Sequence, residues 1–233
     1  MNLNSAISKR DYRLIVFDWD GTLMDSIDRI VTSMQRAFVD AGLAEPAEDN
    51  VREIIGLSLG NAIARLASDH DQATWDAITD RYRYHFVDAA EVPMPMFPRA
   101  TEMLQSLKQK GYLLGVATGK ARRGLDRAFK ETDCHHYFDA TRCADETESK
   151  PHPKMLHELM HELNVSAEET LMVGDTEFDM VMAKNAGVDA VGVSYGVHNR
   201  QRLLDNQAVD CLDSLPDLEN WFKPFPPINE KAS

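Results

Sequence analysis

Five short apolar runs constrain the fold of this chain more than any other feature. They lie at 14–17, 112–117, 137–140 (the weakest), 170–173 and 190–193. Each is nearly continuous rather than alternating. That pattern suits strands buried on both faces of a parallel sheet. Helical patterns at 100–110, 123–130, 154–163 and 178–186 fall between the later runs. Such alternation predicts an α/β fold with a doubly wound, parallel, Rossmann-like sheet.

The first interval breaks the rhythm. Roughly ninety residues separate the first two runs, where a crossover needs about a dozen to a few tens. Ile27, Ile30, Val31, Met34 and Phe38 recur at helical spacing, with Gly42 placed to end that helix. Residues 51–67 and 75–87 predict two further helical regions. The interval closes on Pro93-Met94-Pro95-Met96-Phe97-Pro98, which cannot continue a helix. The chain has 233 residues, 43% of them hydrophobic, which is enough for two unequal cores. An inserted all-helical cap domain is therefore expected at 27–92, with the sheet domain formed by 1–26 and 93–233.

The first run ends in Asp18-Trp19-Asp20-Gly21-Thr22. Residues i and i+2 of an extended segment face the same side, so the two acids address one spot and Trp19 turns away. In an open α/β sheet, ligands bind outside the carboxyl ends of the strands. The second run ends in Thr118-Gly119-Lys120 and the fourth in Gly174-Asp175-Thr176-Glu177-Phe178-Asp179, while Lys150-Pro151 precedes the helix at 154–163. Four carboxylates at one sheet edge repel one another unless a cation sits among them. An all-oxygen donor set favours a hard cation, Mg²⁺ first. A hydroxyl and a lysine beside it then suit phosphate oxygens.

Asp18-x-Asp20-Gly21-Thr22, Thr118-Gly119, Lys150-Pro151 and Gly174-Asp175-x-x-x-Asp179 together resemble the four signature motifs of the haloacid dehalogenase superfamily. Their order and spacing are similar to those of its phosphoglycolate phosphatase-like members, which carry a helical cap after the first motif. The resemblance implies a Mg²⁺-dependent phosphatase for a small phosphorylated metabolite, acting through an aspartyl phosphate. It implies Asp18 as nucleophile, Asp20 as general acid and base, and Lys150 as the balancing cation. Asp18, the Asp20 backbone carbonyl and Asp175 would hold the metal, with Asp179 orienting a metal-bound water. Thr118, Lys150 and amides around Gly21 and Gly119 would hold the phosphoryl oxygens. Ser58, in the Gly56-Leu57-Ser58 turn, would face the substrate from the cap. Because Asp20 is present, a phosphate monoester is expected rather than a haloacid or phosphonate. A sugar-phosphate mutase needs the same residues and stays open. A phospho-accepting receiver domain is disfavoured, since its lysine comes last and it has no cap.

With 38 acidic and 25 basic residues, net charge −13, nucleic-acid and membrane partners are not expected. Cys134, Cys143 and Cys211 fit no metal spacing and are expected as free thiols in a reducing cytoplasm. A monomer or homodimer is expected. His157-Glu158-Leu159-Met160-His161 matches the zinc-protease pattern, but its apolar neighbours predict an ordinary packed helix without a third ligand. His135-His136 is expected as a surface pair. Lys120, Arg122 and Arg123 start a helix and either sit in solvent or steer an anionic substrate.

Overall fold

The structure is a computed structural model and describes residues 12–222. Its sheet contains β1 (Leu14–Phe17), β2 (Leu113–Thr118), β3 (Ala140–Cys143), β4 (Thr170–Gly174), β5 (Asp189–Val193) and β6 (Asp210–Leu212). All pairs are parallel, in the order β3-β2-β1-β4-β5-β6. Helices α1 (Ile27–Asp40), α2 (Glu48–Arg52), α3 (Leu59–Leu66) and α4 (Gln72–Arg83) follow β1. Then come α5 (Ala100–Gln109), α6 (Arg122–Thr132), α7 (Lys154–Leu163), α8 (Glu177–Ala186), α9 (Arg200–Asp205) and α10 (Leu215–Trp221).

The continuity of the apolar runs is explained by helices on both faces. Ile15 and Phe17 join a cluster with Val116, Val173, Leu104, Leu125 and Leu218. Leu14 and Val16 point oppositely, into a cluster with Met172, Leu156, Leu159, Met180 and Leu203. All four β1 side chains are fully buried, each worth about 1.5–3 kcal/mol against an exposed state. The helices of the insertion gather a third cluster, among them Ile30, Met34, Phe38, Ile54, Ile63 and Ile78. The two connections to the insertion are hydrogen-bonded together: the Asp25 amide donates to the Pro95 carbonyl and the Phe97 amide to that of Leu23, each at 2.9 Å.

Several boundaries differ from the sequence pattern. The third strand is Ala140–Cys143, not 137–140. Tyr137 and Phe138, whose ring-rich sequence reads as strand, pack instead on the core beneath Trp19. β6 is a three-residue edge strand with only Cys211 buried, too short and polar to show a pattern. The segment 51–67 divides into α2 and α3, because Gly56 turns at φ +101° and Ser58 caps α3. The segment 75–87 begins earlier, at Gln72, where Asp71 accepts from the Thr74 amide at 3.0 Å, and it ends in a π-helical turn, Tyr84–Asp88. The stretch around Pro216 forms α10, with the Ser214 side chain as its cap.

Candidate active site

β1 lies between β2 and β4, so the chain reverses direction across the sheet beside it. This is where a crevice opens at the carboxyl ends. The Asp18 amide still donates to the Val173 carbonyl of β4, at 2.9 Å, and this fixes Asp18 at the lip of the crevice. Trp19 does turn away: its ring packs edge-on against Phe129 at 5.2 Å and its indole N–H reaches Met24 Sδ at 3.3 Å. Asp20 faces the crevice with Asp18.

Asp20 is held by two groups. The Ser26 hydroxyl donates to its Oδ1 at 2.5 Å, and Lys120 Nζ lies 2.8 Å from the same oxygen. Ser26 stands at the N-cap of α1, yet its side chain makes no capping bond and serves the carboxylate instead. Lys120 also lies over the Phe86 ring, 4.9 Å from its centroid, and so joins Asp20 to the insertion.

Behind this pair, Lys150, Asp175 and Asp179 are all buried. Lys150 Nζ lies 2.7 Å from both Asp18 Oδ1 and Asp179 Oδ1. Asp179 Oδ2 also accepts from the Thr176 amide and hydroxyl, at 3.1 and 2.7 Å, in a capping box at the start of α8. Asp175 Oδ1 accepts from Thr22 at 2.8 Å and its Oδ2 from the Val197 amide at 2.8 Å. Gly21 adopts φ +80°, and a Cβ there would stand 2.2 Å from Asp175 Oδ2. Its amide is committed to the Met24 carbonyl at 2.9 Å, so Gly21 supplies shape and not its own N–H. Thr118 is buried at the end of β2, where its hydroxyl oxygen accepts from the Lys120 amide at 3.2 Å and its hydrogen stays available to an acceptor.

The electrostatics mark this cluster as incomplete. Burial raises the Asp18 carboxyl well above its ordinary range, Lys150 opposes that rise, and Asp179 and Asp175 add to it. Asp175 is pushed up to about 7, by burial first and Asp179 next. Burial depresses the Lys150 ammonium, but Asp179 and Asp18 outweigh it and raise its pKa. Among the described residues, neither buried Asp18 oxygen has a well-formed hydrogen bond; Oδ1 has only the ammonium contact and Oδ2 no partner. Carboxylate oxygens of Asp18, Asp175 and Asp179 all lie within 4.8 Å of one another. Three buried acids, one ammonium and an orphaned carboxylate oxygen fit a hard divalent cation.

Asp18, Asp20, Gly119, Lys120 and Ser58 line a cavity of about 600 Å³ between the sheet edge and the helical insertion. Thr118, Lys150, Asp175 and Asp179 are buried and are not among its lining residues. Ser58 uses its side chain to accept from the Asn61 amide at 3.3 Å, and its own amide donates to Ser149 Oγ at 3.0 Å. The two sides also meet through Arg202, which spans Glu53 of the insertion at 2.6 and 2.7 Å and Glu177 at 2.8 and 3.1 Å. Sequence reasoning missed Ser26, Thr22, Arg202 and the role of Lys120. Each acts through another side chain, and only contacts between distant segments reveal it.

The H-E-x-x-H segment lies on α7. His157 and His161 are exposed and Glu158 is bound to Arg142 at 2.7 Å, so the glutamate is spent on an ion pair. Exposed Asp133, His135 and His136 lie near one another at the surface. The three cysteines are free and buried. Among the described residues, no helix is long and apolar enough to cross a membrane.

A model of the haloacid dehalogenase-like hydrolase family matches residues 15–193. The "Probable phosphatase IndB" of Dickeya dadantii is 37% identical over 196 residues, 82% of this chain and 84% of that protein. The phosphoglycolate phosphatase of Vibrio parahaemolyticus is 27% identical, over 91% of this chain and 96% of its own. A crystal structure of a haloacid dehalogenase-like hydrolase from Bacteroides fragilis superposes with a TM-score of 0.81 at 25% identity, covering 89% of this chain and 99% of that one.

Proposed function

The chain belongs to the haloacid dehalogenase-like hydrolase family, and from that premise we propose that it is a Mg²⁺-dependent phosphatase of small phosphate monoesters. The observation that carries this reading is the Asp18 carboxylate: buried, unsatisfied at Oδ2, and facing a cavity large enough for an ester. An aspartate in such a place is poised for a cation on one side and phosphorus on the other.

Asp18 attacks phosphorus and becomes an aspartyl phosphate as the P–O bond to the alcohol breaks. Asp20 gives its proton to the departing alkoxide. It then takes one from the water that attacks the aspartyl phosphate, which releases inorganic phosphate and regenerates Asp18. The Ser26 hydroxyl and Lys120 fix the Asp20 carboxylate for both transfers. Lys150 offsets the negative charge that gathers on the phosphoryl oxygens. Thr118 donates its hydroxyl hydrogen to one of them. Asp18, Asp175 and the Asp20 carbonyl would hold Mg²⁺, with Asp179 set beside it by Thr176 and Lys150. When bound, the cation supplies charge neutralisation between two anions that would otherwise repel. The helices of 27–92 act as a cap that excludes water, and Ser58 belongs to its substrate-facing wall. Mutase activity is the second reading, since the same residues serve transfer between two positions of a sugar.

The test is phosphate release from a panel of monoesters, with and without Mg²⁺, by the wild type and by Asp18→Asn. Release that requires Mg²⁺ and vanishes in the variant is expected. Release that survives Asp18→Asn would remove the covalent mechanism.

A further inference from the structure

The cavity is longer than its catalytic end requires. Asp18, Asp20, Gly119 and Lys120 mark the phosphoryl end. From there the wall follows α6, through Arg123, Arg127 and Glu131. These residues stand at i, i+4 and i+8, one above another on one helix face. At about 1.5 Å of rise per residue, the strip extends about 12 Å. Phe86, Leu57 and Met34 of the insertion give the opposite wall an apolar character. Three bonds of extended chain span about 3.5 Å, so a two-carbon acid occupies only the phosphoryl end and leaves most of the slot unused.

The two arginines are the notable part. Their neighbour Arg122 is committed to Glu146 at 2.8 Å and Asp126 at 3.4 Å. Arg123 and Arg127 line the cavity and have no ion pair among the described residues, in a chain with 38 acids. Two unpaired guanidiniums one turn apart match a planar anion in a forked geometry. Glu131, one turn farther, would repel an anion and so sets an outer limit.

We propose that Arg123 and Arg127 form a second anion subsite, so that the preferred ester carries another acidic group several bonds from its phosphate. The proposal rests on the phosphatase reading for its phosphoryl end. It specifies a two-ended substrate with a longer body than phosphoglycolate.

A molecular ruler tests it. The probes are ω-carboxyalkyl phosphates of increasing chain length and the alkyl phosphates of matching length. The readout is the ratio of kcat/KM with the carboxylate to kcat/KM without it. That ratio should peak at about tenfold at one intermediate chain length of several methylenes. It should be near one for a single methylene and decline for longer chains. In Arg123→Gln/Arg127→Gln the peak should flatten to about one, while Arg122→Gln keeps it. A flat ratio in the wild type, or a peak that survives the double substitution, would overturn the subsite. If no chain is hydrolysed with Mg²⁺, the phosphatase reading fails. The subsite is then judged separately, by calorimetric Kd values of the same chains on Asp18→Asn protein with and without the two arginines. A length optimum in Kd that needs Arg123 and Arg127 supports it, and its absence overturns it.

Discussion

The two walls of the cavity are built on opposite principles. At the phosphoryl end of the sheet side, almost every polar group is bound to another: Lys150 to two aspartates, Asp175 to Thr22 and Val197, Asp179 to Thr176. Glycines let backbone and carboxylate approach more closely than a side chain would permit. On the insertion side, the wall is largely apolar and belongs to a separate hydrophobic cluster. It is fastened to the sheet side by a few polar contacts around Arg202 and Ser58. The chemistry thus sits where positions are over-determined, and substrate shape is set where they are not. Substitutions at the phosphoryl end of the first wall should be costly to fold and function alike, and those on the second costly to neither fold nor turnover.

The sharpest way to break that contrast is at Lys150. Lys150→Met leaves Asp18, Asp175 and Asp179 buried together without their ammonium. Loss of one partner from a buried ion pair costs about 3–5 kcal/mol. Loss of one group that stabilises transition-state charge lowers kcat by about 10²–10³-fold. Both effects are expected, by urea unfolding and by phosphate release, with Mg²⁺ restoring part of the stability and none of the rate. A variant as stable as wild type without Mg²⁺ would show that the sheet wall is less tightly determined than its contacts suggest.

Two glycines make the next comparison. Gly21→Ala forces an L side chain to φ +80° and places Cβ 2.2 Å from Asp175 Oδ2. Left-handed strain alone costs about 1–2 kcal/mol, and displacement of Asp175 adds to it. Gly60 lies in α3 on the cavity wall, where a Cβ would meet no atom within 4 Å and φ is not positive. Gly60→Ala should stabilise by about 0.4–1 kcal/mol, since helical glycine carries excess unfolded-state entropy. Opposite shifts in the urea midpoint are expected from the same chemical change.

The contrast also explains what the sequence disclosed. Asp18, Thr118, Lys150 and Asp175 are legible because Asp18 and Asp175 follow strands, Thr118 ends one and Lys150 lies in the loop before α7, and a parallel sheet brings such positions to one edge. The apolar runs located four strands to within a residue or so for the same reason. β3 was misplaced because Tyr137 and Phe138 are apolar for a core contact and not for a strand. Ser26 stands at the N-cap position of α1, but its side chain serves Asp20 instead, and no sequence spacing discloses that. On the insertion side little is legible beyond helical character. Its wall is a product of how four helices pack, and no spacing in one segment encodes that.

Metal binding should depend on pH in a definite direction. Asp18 and Asp175 have pKa values raised by burial, Asp175 to about 7. A carboxyl raised in the folded state stabilises below its unfolded value, about 3.9. That contribution is lost as pH climbs through the folded value. Metal-free protein should therefore lose this part of its stability between about pH 4 and 7. Mg²⁺ requires ionised carboxylates, so the rise in Tm at saturating Mg²⁺ should be larger at pH 8 than at pH 5, by a few degrees. Equal shifts at both values would mean that the cation sits away from this cluster. A shift that Asp175→Asn removes would place it there.

The smallest effect belongs to the clasp between the walls. Arg202 joins Glu53 of the insertion to Glu177 of α8, and these side chains remain partly exposed. Pairs of that kind contribute about 0–1 kcal/mol each, because solvent screens them and two long side chains must be held still. In a double-substitution cycle of Arg202→Met with Glu53→Gln, a coupling of about 0.5–1 kcal/mol is expected, with kcat/KM falling a few-fold at most. A loosely fastened wall can part to admit ester and release alcohol, and a weak clasp is compatible with that motion. A coupling of several kcal/mol would mean the opposite: the insertion would be as firmly determined as the sheet edge. The division between a rigid chemical wall and a yielding selective one would then have to be abandoned.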